Sequence, residues 1–245
     1  MNLGLGRKPS PPDSRDFALS EYLKPRLKVS SMFWAMGPAL DQGQTPHCVG
    51  FGFADWANCL PVDDNYADAD GDKVYYEAKV IDGEPKAEDG SSVRSGAKAM
   101  KKRGRIGAYA FGTVADAKAF LLSQGPVVFG IDWTADMFNP DAKGTITPTG
   151  AVEGGHCILA YGADATYCYL QNSWGDSWGV DGCCRMSWTD LAALFADNGE
   201  ACAAVELPIV PPPAPKPPAV KTTLQVILAA LKTCVTALEK LIKSL

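Results

Sequence analysis

Asp41-Gln42-Gly43-Gln44-Thr45-Pro46-His47-Cys48 is a polar loop, punctuated by glycine and proline, that runs straight into an apolar segment. Val49, Phe53, Trp56 and Leu60 then recur at i, i+4, i+7 and i+11, which is one face of a helix. The spacing predicts a helix that begins at Cys48, buries that face and stops at Pro61. Cys48 therefore belongs to a first turn. Unpaired backbone N–H groups and the positive end of the helix dipole stabilise an anion there, so its thiol pKa is expected to be lowered.

A thiolate needs a proton acceptor, and the chain has only two histidines, His47 and His156. His47 is the neighbour of Cys48, but side chains adjacent in a helix start diverge, so it reads as a loop residue. His156 lies in Gly154-Gly155-His156-Cys157-Ile158-Leu159-Ala160-Tyr161-Gly162. Leu170-Gln171-Asn172-Ser173-Trp174-Gly175-Asp176-Ser177-Trp178-Gly179 follows. Each holds a short apolar run bounded by glycine and reads as a strand, with His156 opening the first and Asn172 closing the second. Antiparallel pairing through the Gly162-Ala163-Asp164 turn region would bring those ends together.

The pattern Gln-x-x-x-x-x-Cys from Gln42 to Cys48, Gly155-His156, and Asn-Ser-Trp-Gly-x-x-Trp-Gly from Asn172 resembles the papain-like cysteine peptidases. Gly125-Pro126-Val127 and Asp181-Gly182 are similar to that family too. The resemblance covers Trp34 to Leu207. Asp13-Ser14-Arg15-Asp16 resembles the opening of its prosegment-less bacterial and phage members. The resemblance implies an α+β, two-lobed fold, a helical lobe followed by an antiparallel β lobe, with the active-site cleft between them. It implies a cysteine endopeptidase without cofactor or metal. Cys48 is then the nucleophile, His156 its base, and Asn172 the group that orients the imidazole. Gln42 is an oxyanion donor, and Trp174 shields the Asn–His hydrogen bond from water. Val49, Thr45 and Gly155 depart from residues common in the family, which bears on efficiency and subsite shape. A helical prosegment has no room in the N-terminal arm, so either constitutive activity or another form of control is expected.

The four expected regions are an arm (1–33), a peptidase domain (34–207), a proline-rich linker (208–221) and an amphipathic C-terminal helix (222–245). Lys73 to Ile81, Val93 to Arg103, Thr113 to Ser123 and Thr189 to Ala196 read as helices. Strands are expected at Val127–Ile131, Ile158–Tyr161, Tyr167–Leu170, Cys183–Met186 and Ala203–Leu207. The acidic stretch from Val62 to Asp72 partly fits a calcium-loop template at Asp68, Asp70, Gly71 and Glu77. Tyr66 at its first position does not, and a solvated acidic loop is the preferred reading. The basic cluster Lys98, Lys101, Lys102, Arg103 and Arg105 reads as a helix C-terminus complementing its dipole.

The eight cysteines show no C-x-x-C pair and no zinc spacing, so most read as reduced, with one bridge at Cys183 or Cys184 as the alternative. A net charge of −5 argues against nucleic acid as a partner. Neither a signal peptide nor a membrane span is visible, so a cytoplasmic protein is expected, or a virion-associated one if phage-encoded. In the C-terminal stretch Leu224, Leu228, Leu231, Val235, Leu238, Ile242 and Leu245 alternate by four and three, a heptad seam. It predicts a homo-oligomer or a partner protein, with a membrane-surface helix as the rival. The expected partner of the cleft is a protein or peptide substrate. The alternative is a structural or attachment protein that uses the same domain as a binding module.

Overall fold

Helix α1, Cys48–Asn58, is buried on every side, not on one stripe. Its small residues permit this. A Cβ on Gly50 would lie 2.2 Å from the Gly71 carbonyl of a neighbouring helix, and one on Gly52 would lie 2.9 Å from Cys157 Sγ on a strand. The first helix is thus wedged between a helical layer and a sheet, and the residue at its N-terminus lies where the two meet.

The computed structural model describes residues 3–24 and 29–205 and, farther along, residues 231, 232, 239 and 242. The chain divides into two units, Met1–Leu207 and Pro208–Leu245. In the first, the strands are β1 (Arg7–Lys8), β2 (Phe17–Ala18), β3 (Met32–Phe33), β4 (Ser91–Ser92), β5 (Ala108–Gly112), β6 (Val127–Thr134), β7 (Val152–Ala163), β8 (Tyr167–Gln171), β9 (Cys183–Ser187) and β10 (Glu200–Val205). The other helices are α2 (Asp68–Asp82), α3 (Val93–Lys102), α4 (Val114–Leu121) and α5 (Trp188–Ala196). An eight-stranded sheet runs β2-β5-β10-β6-β7-β8-β9, with β3 added against β7. Only the β2–β5 pair in it is parallel. β1 and β4 form a separate two-stranded parallel pair. The fold is the expected α+β arrangement, helices before most of the sheet.

Capping follows the residue chemistry. Ser92, Thr113 and Ser187 accept from the backbone N–H groups of Ser95, Asp116 and Asp190 at the starts of α3, α4 and α5. Gly83 and Gly104 adopt left-handed backbone just beyond α2 and α3 (φ 81° and 72°). Residues 62–67 of the acidic stretch are loop as expected, and the remainder corrects that reading. Asp68–Asp72 forms the first turn of α2, and Asp70 Oδ2 accepts from Ala67 N–H. Carboxylates there compensate the dipole, which a reading by charge alone took for solvation. β5 was not anticipated, because its Ala-Tyr-Ala-Phe-Gly sequence has small residues where the sheet is crowded. The seven described cysteines are free and buried.

The heptad seam falls almost wholly outside the described residues. Of its members Leu231 and Ile242 are helical and exposed. Among the described residues no helix is long and apolar enough to cross a membrane.

Candidate active site

β6 and β7 set the sheet side of the site. His156 lies opposite Ile131 and Gly155 opposite Asp132. His156 is therefore in mid-strand, not at the opening of its strand as expected; β7 begins four residues earlier because pairing with β6 continues past the glycines. Asn172 directly follows β8, and its N–H donates to Gly182 O. Cys48 enters from α1 and lies against the backbone of Cys157, the residue after His156. Cys48, His156 and Asn172 are all 0% exposed.

The tautomer of His156 follows from its partners. Asn172 Oδ1 accepts the Ser173 backbone N–H at 2.8 Å, and a backbone N–H can only donate. The same oxygen lies 2.7 Å from His156 Nε2, so Nε2 carries the hydrogen. The lone pair of the neutral ring is then on Nδ1, which has no hydrogen-bond partner among the described residues. Trp174 and Trp133 close around the ring, with centroids 4.7 and 4.8 Å from it. Trp174 in turn stacks on Phe138 at 5.5 Å. Trp133 was missed in the sequence because it falls two residues past the apolar run that marked the strand.

Gln42 is held in the same network. Its N–H donates to Ser173 O at 2.9 Å, and Ser173 Oγ donates to Gln42 Oε1 at 2.7 Å. The carboxamide nitrogen consequently points the other way, to Thr45 O at 2.7 Å and Gly4 O at 3.3 Å.

Gly4 belongs to a segment that lies across the site. Gly4 N–H donates to Gly43 O, and its carbonyl also accepts from Trp174 Nε1. Gly6 N–H donates to Gly155 O, and Gly6 O accepts from Ser91 N–H, both at 2.9 Å. The approach is so close that glycine is required on both sides. A Cβ on Gly6 would lie 2.2 Å from Pro46 O, and one on Gly90 would lie 1.7 Å from Gly6 O.

This covering reverses the expected chemistry of the thiol. Burial pushes the Cys48 pKa up to about 11, against the smaller lowering by the backbone N–H groups of Cys157, Gly6 and Val49. Burial likewise pushes His156 down to about 4, against the opposing hydrogen bond that its Nε2–H donates to Asn172. The helix N-terminus is present, as expected, but desolvation of the charged form outweighs it. Beneath the segment the pair is neutral thiol and neutral imidazole.

His47 sits outside this network. Nδ1 is 2.7 Å from Asp72 Oδ1, Nε2 is 2.8 Å from Glu88 Oε2, and the ring stacks on Tyr75 at 3.9 Å. Its hydrogen bond is the main reason the Glu88 pKa is lowered.

The model of the papain family cysteine proteases matches residues 48–197. Among solved structures, xylellain, a cysteine protease from Xylella fastidiosa, is 19% identical, with TM-score 0.68, covering 84% of this chain and 97% of its own. Digestive procathepsin L 3 of the Tenebrio molitor larval midgut is 16% identical, with TM-score 0.55, over 84% of this chain and 76% of its own. Procathepsin B S9 from Trypanosoma congolense is 13% identical, with TM-score 0.57, over 82% and 85%. No curated protein matches the chain.

Proposed function

Since the chain belongs to the papain family of cysteine proteases and is a peptidase acting on protein or peptide substrates, we propose that it cleaves through a Cys48–His156–Asn172 thiolate mechanism with Gln42 as oxyanion donor. The observation that carries this reading is the chain of hydrogen bonds from Ser173 through Asn172 to His156, which leaves Nδ1 as the basic nitrogen. In this mechanism Nδ1 takes the Cys48 proton, and the sulfur attacks the substrate carbonyl carbon. The carbonyl oxygen becomes an oxyanion, accepting from Gln42 Nε2 and the Cys48 backbone N–H. The C–N bond then breaks, and the Nδ1 proton passes to the leaving amine. Water hydrolyses the thioester, with the same nitrogen as base, and Cys48 regains its proton. Trp174 keeps water from the His156–Asn172 bond.

The test is peptide turnover and epoxide labelling of the full chain. Cys48→Ala is expected to abolish both. Cys48→Ala and His156→Ala together should cost no more turnover than either alone, because the two groups act as a unit. Turnover that survives Cys48→Ala would remove Cys48 as the nucleophile, and no turnover by the wild-type chain would leave the binding-module alternative, with the cleft idle.

We further propose that residues 222–245 join chains to one another or to a partner protein. A heptad seam of about three repeats is marginal as a lone helix and needs a partner. Light scattering should find the full chain oligomeric and a chain ending near Pro208 monomeric.

A further inference from the structure

Arg7 is the one long side chain that the covering segment sends into the body of the protein, and only 1% of it is exposed. Its Nε and Nη2 donate to Glu200 Oε1 at 3.1 and 2.9 Å, and Nη1 reaches Asp132 Oδ1 at 3.5 Å. Nη2 also donates to Asn198 O. Room for the guanidinium comes from Gly130, where a Cβ would lie 2.8 Å from Arg7 Nε. Glu200 and Asp132 make no other ion pair among the described residues.

The pocket is placed beside the reacting groups. Asp132 faces Gly155 across the β6–β7 pair, and Gly155 is both the neighbour of His156 and the acceptor for Gly6 N–H. Gly90 and Gly155 bring no side chain to the surface along which the Gly6–Arg7 backbone runs, so a peptide with glycine at the Gly6 position can lie there. A guest whose amide repeats the two Gly6 hydrogen bonds directs its next side chain toward Glu200. When Arg7 leaves, two partly buried carboxylates and a carbonyl lose their cation, and leaving them unpaired is costly.

Resting on the peptidase reading, we propose that the Arg7 pocket selects an arginine side chain of the substrate, with the Gly4–Lys8 segment its built-in competitor. Arginine is favoured over lysine because the planar fork reaches Glu200, Asp132 and the Asn198 carbonyl at once, which a single ammonium does not.

The experiment uses the full chain carrying Arg7→Ala, or Arg7→Gln if the alanine variant does not fold. Binding of the fluorescent synthetic peptide Gly-Leu-Gly-Arg-Lys is compared with that of Gly-Leu-Gly-Ala-Lys. The arginine peptide is expected to bind roughly 30-fold or more tightly, and adding Glu200→Gln should erase the difference. In parallel, a peptide library made with a glutamate-specific protease, which leaves arginine intact, is digested and its cleavage sites are read by mass spectrometry. Arginine should be enriched at one position within two residues of the cut, and wild type should cut the same sites more slowly. Equal binding of the two peptides, or arginine enrichment that survives Glu200→Gln, overturns the proposal. Arginine-selective binding without any cleavage would keep the pocket and sink the peptidase reading. Cleavage without arginine selection would do the reverse.

Discussion

The surroundings of the two histidines differ in almost every respect. Around His47, two carboxylates more than a third exposed take both ring nitrogens. Around His156, aromatic rings exclude water, one nitrogen is tied to Asn172, and the other is left with no partner. Proximity in sequence to the cysteine belongs to His47; a lone pair free to take a proton belongs to His156. The difference teaches that a base is defined by what its second nitrogen is not doing. His47 is saturated and serves to tie the start of α1 to α2 and the Glu88 loop.

The largest effect that could break this contrast is on turnover. His156→Gln should cost roughly 10²–10⁴-fold in kcat/KM, the range for loss of a positioned general base, while His47→Gln leaves kcat/KM unchanged. Steady-state assays of both variants decide it, and the opposite ranking would transfer the role to His47. Next comes Gln42→Ala, which removes a carboxamide oriented by Ser173. About 10²-fold in kcat is expected, with little change in KM, because the donor acts on the oxyanion rather than on bound substrate.

The third effect is on stability and sharpens the same contrast. In the folded chain His156 titrates near 4, against an ordinary 6.5. As pH falls below 6.5 the unfolded chain takes up the proton first, so His156 makes stability fall between pH 6.5 and 4, and its contribution is full above that window. The total is on the order of 3 kcal/mol if the native ring stays covered. Urea unfolding of wild type and His156→Gln at pH 7 and pH 4.5 measures it, and the two should converge at the lower pH. A pH dependence identical in the two proteins would mean that His156 is not desolvated as described. The smallest effect is the stability cost of His47→Gln, about 1 kcal/mol for loss of its paired hydrogen bonds and ring stacking.

Much of the site was legible in the sequence because its parts carry local signals. Cys48 follows a turn loop and precedes a helical period; Gly155-His156 and Asn172-Ser173-Trp174-Gly175 sit beside apolar runs that become β7 and β8. The strand limits were less legible. Val152–Gly155 reads as too polar and too glycine-rich for a strand, yet pairing with β6 holds it in the sheet. The acidic turn at Asp68 was legible only by charge, and charge does not separate a solvated loop from a helix N-terminus.

Residue types and their spacing determined that a cysteine heads a buried helix, that the chain has one histidine with an asparagine to orient it, and that helices precede most of the sheet. Those are matters of local period and covalent order. Tertiary structure alone decided the protonation of the pair. The sequence predicts a lowered thiol pKa from the helix N-terminus, while packing desolvates the sulfur and raises it. It also decided where the N-terminal segment lies. Nothing within Leu3–Lys8 marks the partner of Arg7, because Glu200 stands 193 residues away and the pocket exists only once β6, β7 and β10 have formed.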